Sequence, residues 1–551
     1  VNREFFRTAL LLSGLVAIAG CTHSGELRVQ VDRNVQVPKR RVLVFFVDGM
    51  WADRVQELYA AGQLPNMKKY LYDRGCCVQN AVSCFPSITY ACIASATTGQ
   101  FPGHHQIMGN HWFDRSSGRF QDYMFIRSYL QVDRDIACPT IYEVLRDKYT
   151  VTIQTAHRRG ATRPYDNWMS SGINWFMNRH SEIDRLVAQR FEEIAACSAN
   201  TGQWPDYIFA YFPILDHVGH EKGAQSEAYK RQLINVDQQI GRICRALEKN
   251  GLLDDYYLIM ISDHGHEQAR PEACWIPQDY LKKQLNLPVV YEAFLENGEP
   301  CQWHAYIRNY RVVLVDGGPR QAQIFLRCGH SWIGEPSYEQ VTHFLRDFAP
   351  ATWEKMGRKD LVDLLTDIPA LRVVVVKVDH NTVEVRNPQG RALIIRKIDS
   401  TGAKTYMYKT LDKDPLGYLT DKSTRDMVNS GFFDRDAWLQ ASCCSEFPDF
   451  VPQIVEMCDS PRAGQISVYA RNGCAFGRKE KGGHGSVVRN DMIVPFVLAG
   501  PGIPHKTIKT ARLVDLFPTV LDMLGCSERL KTIGPIDGKS ILPEITSPSR
   551  E

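Results

Sequence analysis

No stretch of apolar residues reaches the roughly 20 needed to cross a bilayer, so nothing in this chain reads as a membrane span. Blocks of lysine and arginine are missing too. The formal net charge is only +3 over 551 residues, which excludes the electrostatic footprint of a nucleic-acid binder. No Cys-x-x-Cys pair occurs among the 16 cysteines, which excludes a structural zinc site built on that spacing. Tandem repeats and long low-complexity tracts are also absent, so neither a solenoid nor a disordered linker protein fits.

What is present is a folded composition, 44% hydrophobic and 23% charged. The length allows more than one core, and two globular parts are the starting expectation. At the N-terminus Arg3 and Arg7 precede the apolar stretch Ala9 to Gly20, and Cys21 follows. A charged start, an apolar middle and a small-residue end are the marks of an export signal. Ile18-Ala19-Gly20-Cys21 resembles a bacterial lipobox, with residues 1–20 as signal peptide, Cys21 as the lipidated residue and 21–39 as a polar linker. The simpler alternative is a cleaved signal with an incidental cysteine. A lipid anchor would hold the protein to a membrane surface without spanning it. Thr22 in place of Asp favours, by resemblance, the outer membrane facing the periplasm or the cell surface. Without Cys21 there are 15 cysteines; in an oxidising exported setting pairing among them is open, and the odd count leaves at least one free thiol.

From Arg41 the chain alternates apolar strands with helical patterns. Arg41 to Val47 is a near-continuous apolar run, as a strand covered on both faces requires. Helical periodicity follows over Ala52 to Arg74, from Tyr90, and over Ile141 to Leu145, Glu182 to Cys197 and Glu227 to Asn250. Strands are expected at Thr150 to Gln154, Tyr207 to Phe212, Tyr256 to Ile261 and Ile493 to Ala499, and a closing helix at Leu513 to Leu524. The order predicts an α/β fold, a doubly wound, mostly parallel sheet. Strand-rich runs among polar turns interrupt it, so residues 275–450 read as an inserted α+β region and 40–274 with 451–545 as the core.

Six metal-type side chains stand in four places beside these strands: Asp48; Asp216 with His220; Asp263 with His264; and His484. In an open α/β sheet, the carboxyl ends of the strands share one crevice, where ligands bind. Asp216 and His220 are four residues apart, which puts them on one face if that turn is helical. Each motif alone is weak, since Asp-Gly and Asp-His-Gly are also ordinary turns. Together, each at a strand end, they fit a two-metal hydrolytic site with hard oxygen and imidazole donors.

Nucleophile candidates cluster in Ser83-Cys84-Phe85-Pro86-Ser87-Ile88-Thr89-Tyr90. Several motifs resemble the alkaline phosphatase superfamily, and most of all its nucleotide pyrophosphatase/phosphodiesterase branch. They are FFVDG (45–49), FPSITY (85–90), TTGQFPGHHQIMGN (97–110), DHVGH (216–220), SDHGH (262–266), GGHG (482–485) and RNDMIVPFVLAGPG (489–502). The endings LVDLFPTVLDMLG and IDGKSILP are similar to the family's as well. The likeness covers about 40–270 and 455–545 and leaves out the insertion.

The resemblance implies Thr89 as nucleophile, ten residues before Gly99, and Asn110, 21 residues after it, as the amide that assists. It implies Asp216, His220 and His484 as ligands of one divalent ion, and Asp48, Asp263, His264 and the Thr89 oxygen as ligands of the other. The ions are zinc in most relatives. The expected substrate is a phosphoester, a nucleotide among the candidates. Tyr90 and Tyr211 occupy positions that carry leaving-group or base-stacking aromatics in nucleotide-cleaving relatives; core tyrosines beside a strand are an equally open reading. For Thr89 the bland alternative is a helix N-cap. His266 is a candidate for the layer behind the ligands, and His104 and His105 for a structural turn.

Two departures limit the analogy, and one rival signature has to be weighed. The family's Pro-Asn after the nucleophile and aromatic is Ala91-Cys92 here. The insertion between His264 and His484 is long and unmatched. Cys84-Phe85-Pro86-Ser87 begins like a sulfatase signature, but Ile88 stands where that signature needs Arg, so sulfatase is a minor alternative and Cys84 reads as a small buried residue or a disulfide partner. The same ligand set would also serve a phosphomonoesterase or phosphonate hydrolase, and a surface lipoprotein binding a partner on a relic fold is the non-catalytic alternative.

Overall fold

The computed structural model describes residues 40–124, 129–166, 168–291, 307–327, 329, 331–477 and 480–547. The expected signal, Cys21 and linker lie outside them. Arg41–Val47 forms the middle strand of a nine-stranded sheet and is buried along its whole length. Tyr256–Ser262 pairs with it on one side and Tyr207–Phe212 on the other, both parallel; beyond the latter come Thr150–Ile153 and Arg163–Tyr165, also parallel. On the far side of Tyr256–Ser262 lies Phe496–Ala499, antiparallel, then Gly75–Val82, which pairs with Ile493–Val494 and with Lys506–Arg512. The sheet is mostly parallel, as expected.

Alternation along the strands decides what covers each face. Val42, Val44 and Phe46 pack with Phe209, Ile259, Ile261 and the helix Leu516–Met523. Leu43, Phe45 and Val47 pack on the other face against the helices Ser181–Thr201 and Glu227–Lys249. Both faces are covered, which is why the strands read as unbroken apolar runs.

Thr89–Thr98 is built almost wholly of small residues and is buried except at Tyr90. Small side chains let this helix sink into the layer beside the closing helix. Cys84 is fully buried, and burial pushes its thiol well up; it is a small buried residue and not the disulfide partner of the other expectation. The thirteen cysteines among the described residues are free thiols, Cys443 and Cys444 included.

A second nine-stranded sheet runs in the order Val289–Tyr291, Val312–Gly318, Gln321–Leu326, Ile466–Ala470, Leu371–Lys377, Thr382–Asn387, Gly390–Ile398, Lys404–Thr410 and Phe433–Asp434. The expected boundary at residue 450 divides what this sheet unites. Ile466–Ala470, placed with the core from sequence, is antiparallel to both Gln321–Leu326 and Leu371–Lys377. The physical reason is that five buried residues in a row fit the middle of either sheet. The second sheet is not a separate body. Val82, Phe85, Met108 and Trp112 of the first part share one apolar cluster with Val373, Val375, Tyr406 and Trp438. Among the described residues no helix is long and apolar enough to cross a membrane.

Candidate active site

Strand register assembles the site. Val47 is level with Phe212 on one side and Ser262 on the other. The next residues of all three strands therefore emerge at one edge, bringing Asp48, Asp263 and the helix Ile214–Lys222 together. Gly49 follows Asp48 with φ +65°, and a Cβ there would stand 2.7 Å from the Asp216 Cβ, so only glycine admits the close approach of these two segments. The helix puts Asp216 and His220 on one face, with His220 Nε2 3.2 Å from Asp216 Oδ2.

His484 arrives differently. Its position is set not by the strands near residue 493 but by a two-residue ribbon, Gly482–Gly483 antiparallel to Glu267–Gln268. The His484 Nδ1–H donates to the Ser87 carbonyl at 2.8 Å, and the His264 Nδ1–H donates to the Gly265 carbonyl at 2.9 Å. Each bond fixes a tautomer whose Nε2 faces inward. His264 Nε2 lies 3.3 Å from Asp48 Oδ1, 3.2 Å from Asp263 Oδ2 and 3.2 Å from Thr89 Oγ1. His484 Nε2 lies 3.7 Å from Asp216 Oδ1.

Each carboxylate is half satisfied. Asp263 Oδ1 accepts from the Gly49 and His264 N–H groups at 3.0 and 2.9 Å. Asp48 Oδ2 accepts from the Tyr211 hydroxyl. The remaining oxygens, Asp48 Oδ1, Asp216 Oδ1 and Asp263 Oδ2, are buried without a hydrogen-bond partner. Orphaned buried carboxylate oxygens are costly unless a cation meets them. Donors of a tetrahedral divalent ion at about 2.1 Å stand roughly 3.4 Å from one another, close to the separations just given. The donor set fits adjacent divalent ions: Asp48, Asp263 and His264 draw together at one place, and Asp216 draws together with His220 at the other, where His484 Nε2 also faces Asp216.

The electrostatics are opposed within a few ångströms. Burial, then Asp263 and Asp216, push the Asp48 carboxyl well above its usual range. Burial works the same way on Asp216, but His220 and His484 hold it well below. Burial pulls His220 down, yet Asp216 and Glu480 push it up to about 10. Burial and then His264 hold the His484 imidazole well below its usual value.

Thr89 is the first residue of its helix, after an extended Ile88, and its side chain does not cap. The N-cap alternative therefore fails, and the hydroxyl is free to face His264. Asn110 Oδ1 accepts from the Tyr90 N–H at 3.2 Å, which leaves Nδ2 as the end able to donate. Tyr90 stacks on Tyr123 with ring centroids 5.1 Å apart and leans on His157 at 5.3 Å. Tyr211 is spoken for by Asp48. His104 binds Asp537, Asp459 and Glu456, and His105 binds Ser95, so both are structural as expected.

Sequence reasoning missed three supports. Glu480 stands 3.6 Å from His220 Nδ1, in the loop before the Gly-Gly-His motif. Tyr211 is tied to Asp48, which parity along Tyr207–Phe212 alone does not reveal. Third, Asp491 Oδ1 accepts from the Ser486 N–H at 3.0 Å and from Arg320 Nε at 2.9 Å, while the Asp491 carbonyl accepts from the Gly265 N–H at 2.8 Å. Arg320, from the second sheet, thus braces the segments carrying His484 and His264; nothing in the spacing of the motifs signals it.

A mostly parallel sheet with these residues at its carboxyl edge places the protein in the alkaline phosphatase superfamily. Residues 42–369 match the family described as type I phosphodiesterase / nucleotide pyrophosphatase, and the chain belongs to it. An uncharacterised pyrophosphatase/phosphodiesterase of Schizosaccharomyces pombe is 26% identical over 247 residues, 42% of this chain and 46% of that protein. A bis(5'-adenosyl)-triphosphatase of Pongo abelii is 24% identical over 253 residues, 43% of this chain and 50% of that one. The chain thus spans about half the length of these curated relatives. Murine ectonucleotide pyrophosphatase/phosphodiesterase 5 shares the fold, with a TM-score of 0.56 at 16% identity over 91% of this chain and 98% of its own. An inactive variant of that murine protein has been solved in complex with AMP, and matches with a TM-score of 0.55 at 15% identity over 91% and 97% of the two chains.

Proposed function

We propose that the protein hydrolyses phosphodiester or pyrophosphate bonds of nucleotide-type substrates by way of a phospho-Thr89 intermediate. The observation that carries this reading is the Thr89 hydroxyl, at the start of a buried helix and 3.2 Å from His264 Nε2, facing the orphaned carboxylate oxygens. Asp48, Asp263, His264 and Thr89 would hold one divalent ion, and Asp216, His220 and His484 the other. Such ions, zinc in most relatives, would lower the pKa of the threonine hydroxyl and neutralise charge on the phosphoryl oxygens.

The chain's own groups supply the rest. The Thr89 hydroxyl gives up its proton to solvent, its oxygen forms a bond to phosphorus, and the bond from phosphorus to the leaving oxygen breaks. Water then attacks the phosphothreonine and restores the hydroxyl. The N-terminus of Thr89–Thr98 favours the anion through its dipole and free N–H groups. Asn110 Nδ2 donates to a phosphoryl oxygen as charge builds there. The Tyr90 ring, backed by Tyr123 and His157, offers a stacking shelf beside the nucleophile, and base–aromatic stacking is worth about 1–3 kcal/mol. Tyr211 acts instead by orienting Asp48. The lipobox-like segment ending at Cys21 would tether the enzyme to a membrane surface, which radiolabelled palmitate incorporation tests against Cys21→Ser.

The deciding assay compares a nucleotide diester with an aryl phosphate monoester, with added zinc and with chelator. A zinc-restored, chelator-sensitive rate favouring the diester supports the reading. Monoester preference would move the assignment to a phosphomonoesterase, and a chelator-insensitive rate would remove the metals from it.

A further inference from the structure

His266 lies outside the ligand set just given, yet it is fully buried in the site, with Nε2 lacking any hydrogen-bond partner. Its posture repeats theirs. The Nδ1–H donates to a backbone carbonyl, that of Glu267 at 3.3 Å, and Nε2 is turned inward. What it meets there is Asp216 Oδ1, 3.5 Å away and likewise unpartnered. Two acceptor lone pairs facing each other in a buried space repel unless a cation lies between them.

The slot for this ring is built by absence. A Cβ on Gly219 would come within 2.5 Å of His266 Nε2, and one on Gly482 within 2.8 Å of His266 Cε1. Gly219 belongs to the helix that carries Asp216 and His220, and Gly482 to the ribbon that carries His484. The same two segments that deliver the ligands therefore leave the room for a further imidazole. His266 Nε2 is nearer to Asp216 Oδ1 than is His484 Nε2, at 3.5 against 3.7 Å, and its ring lies 5.1 Å from that of His220.

We propose that His266 is a direct ligand of the ion held by Asp216 and His220, so that four side chains, Asp216, His220, His266 and His484, serve that ion. The inference rests on the two-ion reading above. It brings this position to four protein ligands, as many as the other ion has with Thr89, three of them imidazoles. An ordinary histidine in the layer behind the ligands would instead hydrogen-bond to a ligand from its outer side, and the long, unpartnered approach to Asp216 does not fit that role.

The test is metal binding by the full chain, with turnover set aside. Wild type and His266→Gln are stripped, then titrated with zinc against a chromophoric chelator. The expected result is two ions per wild-type chain, with one of them weakened about tenfold or more in the variant and the other unchanged. A second measurement needs no variant: zinc X-ray absorption on the doubly loaded wild type should give an average of about two imidazoles per ion with His266 and about one and a half without it. Two tightly bound ions in His266→Gln with an unaltered titration, or the lower imidazole count in wild type, would overturn this inference and leave the two-ion reading standing. A wild type that binds fewer than two ions would overturn that reading itself.

Discussion

His264 and His484 lie face to face, their rings 3.4 Å apart and within 4° of parallel. They come from segments 220 residues apart in the chain, and each turns its Nε2 to a different carboxylate, His264 to Asp48 and Asp263 and His484 to Asp216. The stack fixes the spacing between the two halves of the site. Displacing one ring disturbs the posture of the other.

Thr89→Ala should therefore lose turnover by about three orders of magnitude or more, the scale seen when a covalent nucleophile is removed. Thr89→Ser should retain a measurable fraction, because the oxygen stays in place. Steady-state kinetics on a nucleotide diester, with circular dichroism to confirm folding, check both. An alanine variant with wild-type rate would end the phosphothreonine account.

Asp263→Asn separates structure from chemistry. The amide oxygen can still accept from the Gly49 and His264 N–H groups. What goes is the charge beside Asp48. In metal-free protein the change in stability should be small, since relief of the repulsion between Asp263 and Asp48 offsets the lost attraction between Asp263 and His264. Its activity should drop at least a hundredfold. Thermal melts in chelator, paired with rates in zinc, read the two effects.

His104 predicts a pH dependence away from the site. Burial pulls its pKa down, but Asp459, Asp537 and Glu456 push it up to about 11. The folded value lies above the unfolded one of about 6.5, so protonated His104 stabilises the fold fully below that unfolded value. The contribution fades as pH rises toward 11. The difference in melting temperature between wild type and His104→Gln should be largest near pH 6 and shrink steadily toward pH 10. A constant difference would mean that the ring is uncharged in the fold.

Arg320→Met leaves Asp491 without its buried partner; both side chains are fully enclosed. Breaking such a pair costs about 3–5 kcal/mol. Because Asp491 also holds the Ser486 and Gly265 N–H groups, activity should fall with stability. The exposed pair Arg372–Glu446 is the control, worth about 0–1 kcal/mol. Denaturant unfolding of the two variants gives the comparison.

How much of this was legible follows from what each residue has to do. Strands buried on both faces announce themselves as apolar runs, and Tyr207–Phe212 falls where the sequence puts it. Gly75–Val82, with the sequence GCCVQNAV, is as much a part of the sheet, but its small and polar residues hide it. Asp48, Asp263 and His264 were legible because they follow strands directly, and Asp216 with His220 because their spacing of four puts them on one face of the helix that follows Tyr207–Phe212. His484 came through its motif alone, and its ribbon is too short for any periodicity. The posture of Tyr211 and the brace from Arg320 depend on side-chain directions and on contacts between distant segments, which spacing along a chain does not encode.

The apolar cluster shared by Val82, Phe85, Met108 and Trp112 with Val373, Val375, Tyr406 and Trp438 has a practical corollary. A shortened chain cut down to the stretches bearing the catalytic motifs would present one wall of that cluster to water. Contiguous greasy surface of that kind favours self-association over independent folding. Changes to what the candidate site accepts are best made by redesigning loops in place, because the second sheet is a foundation on which the half bearing that site rests.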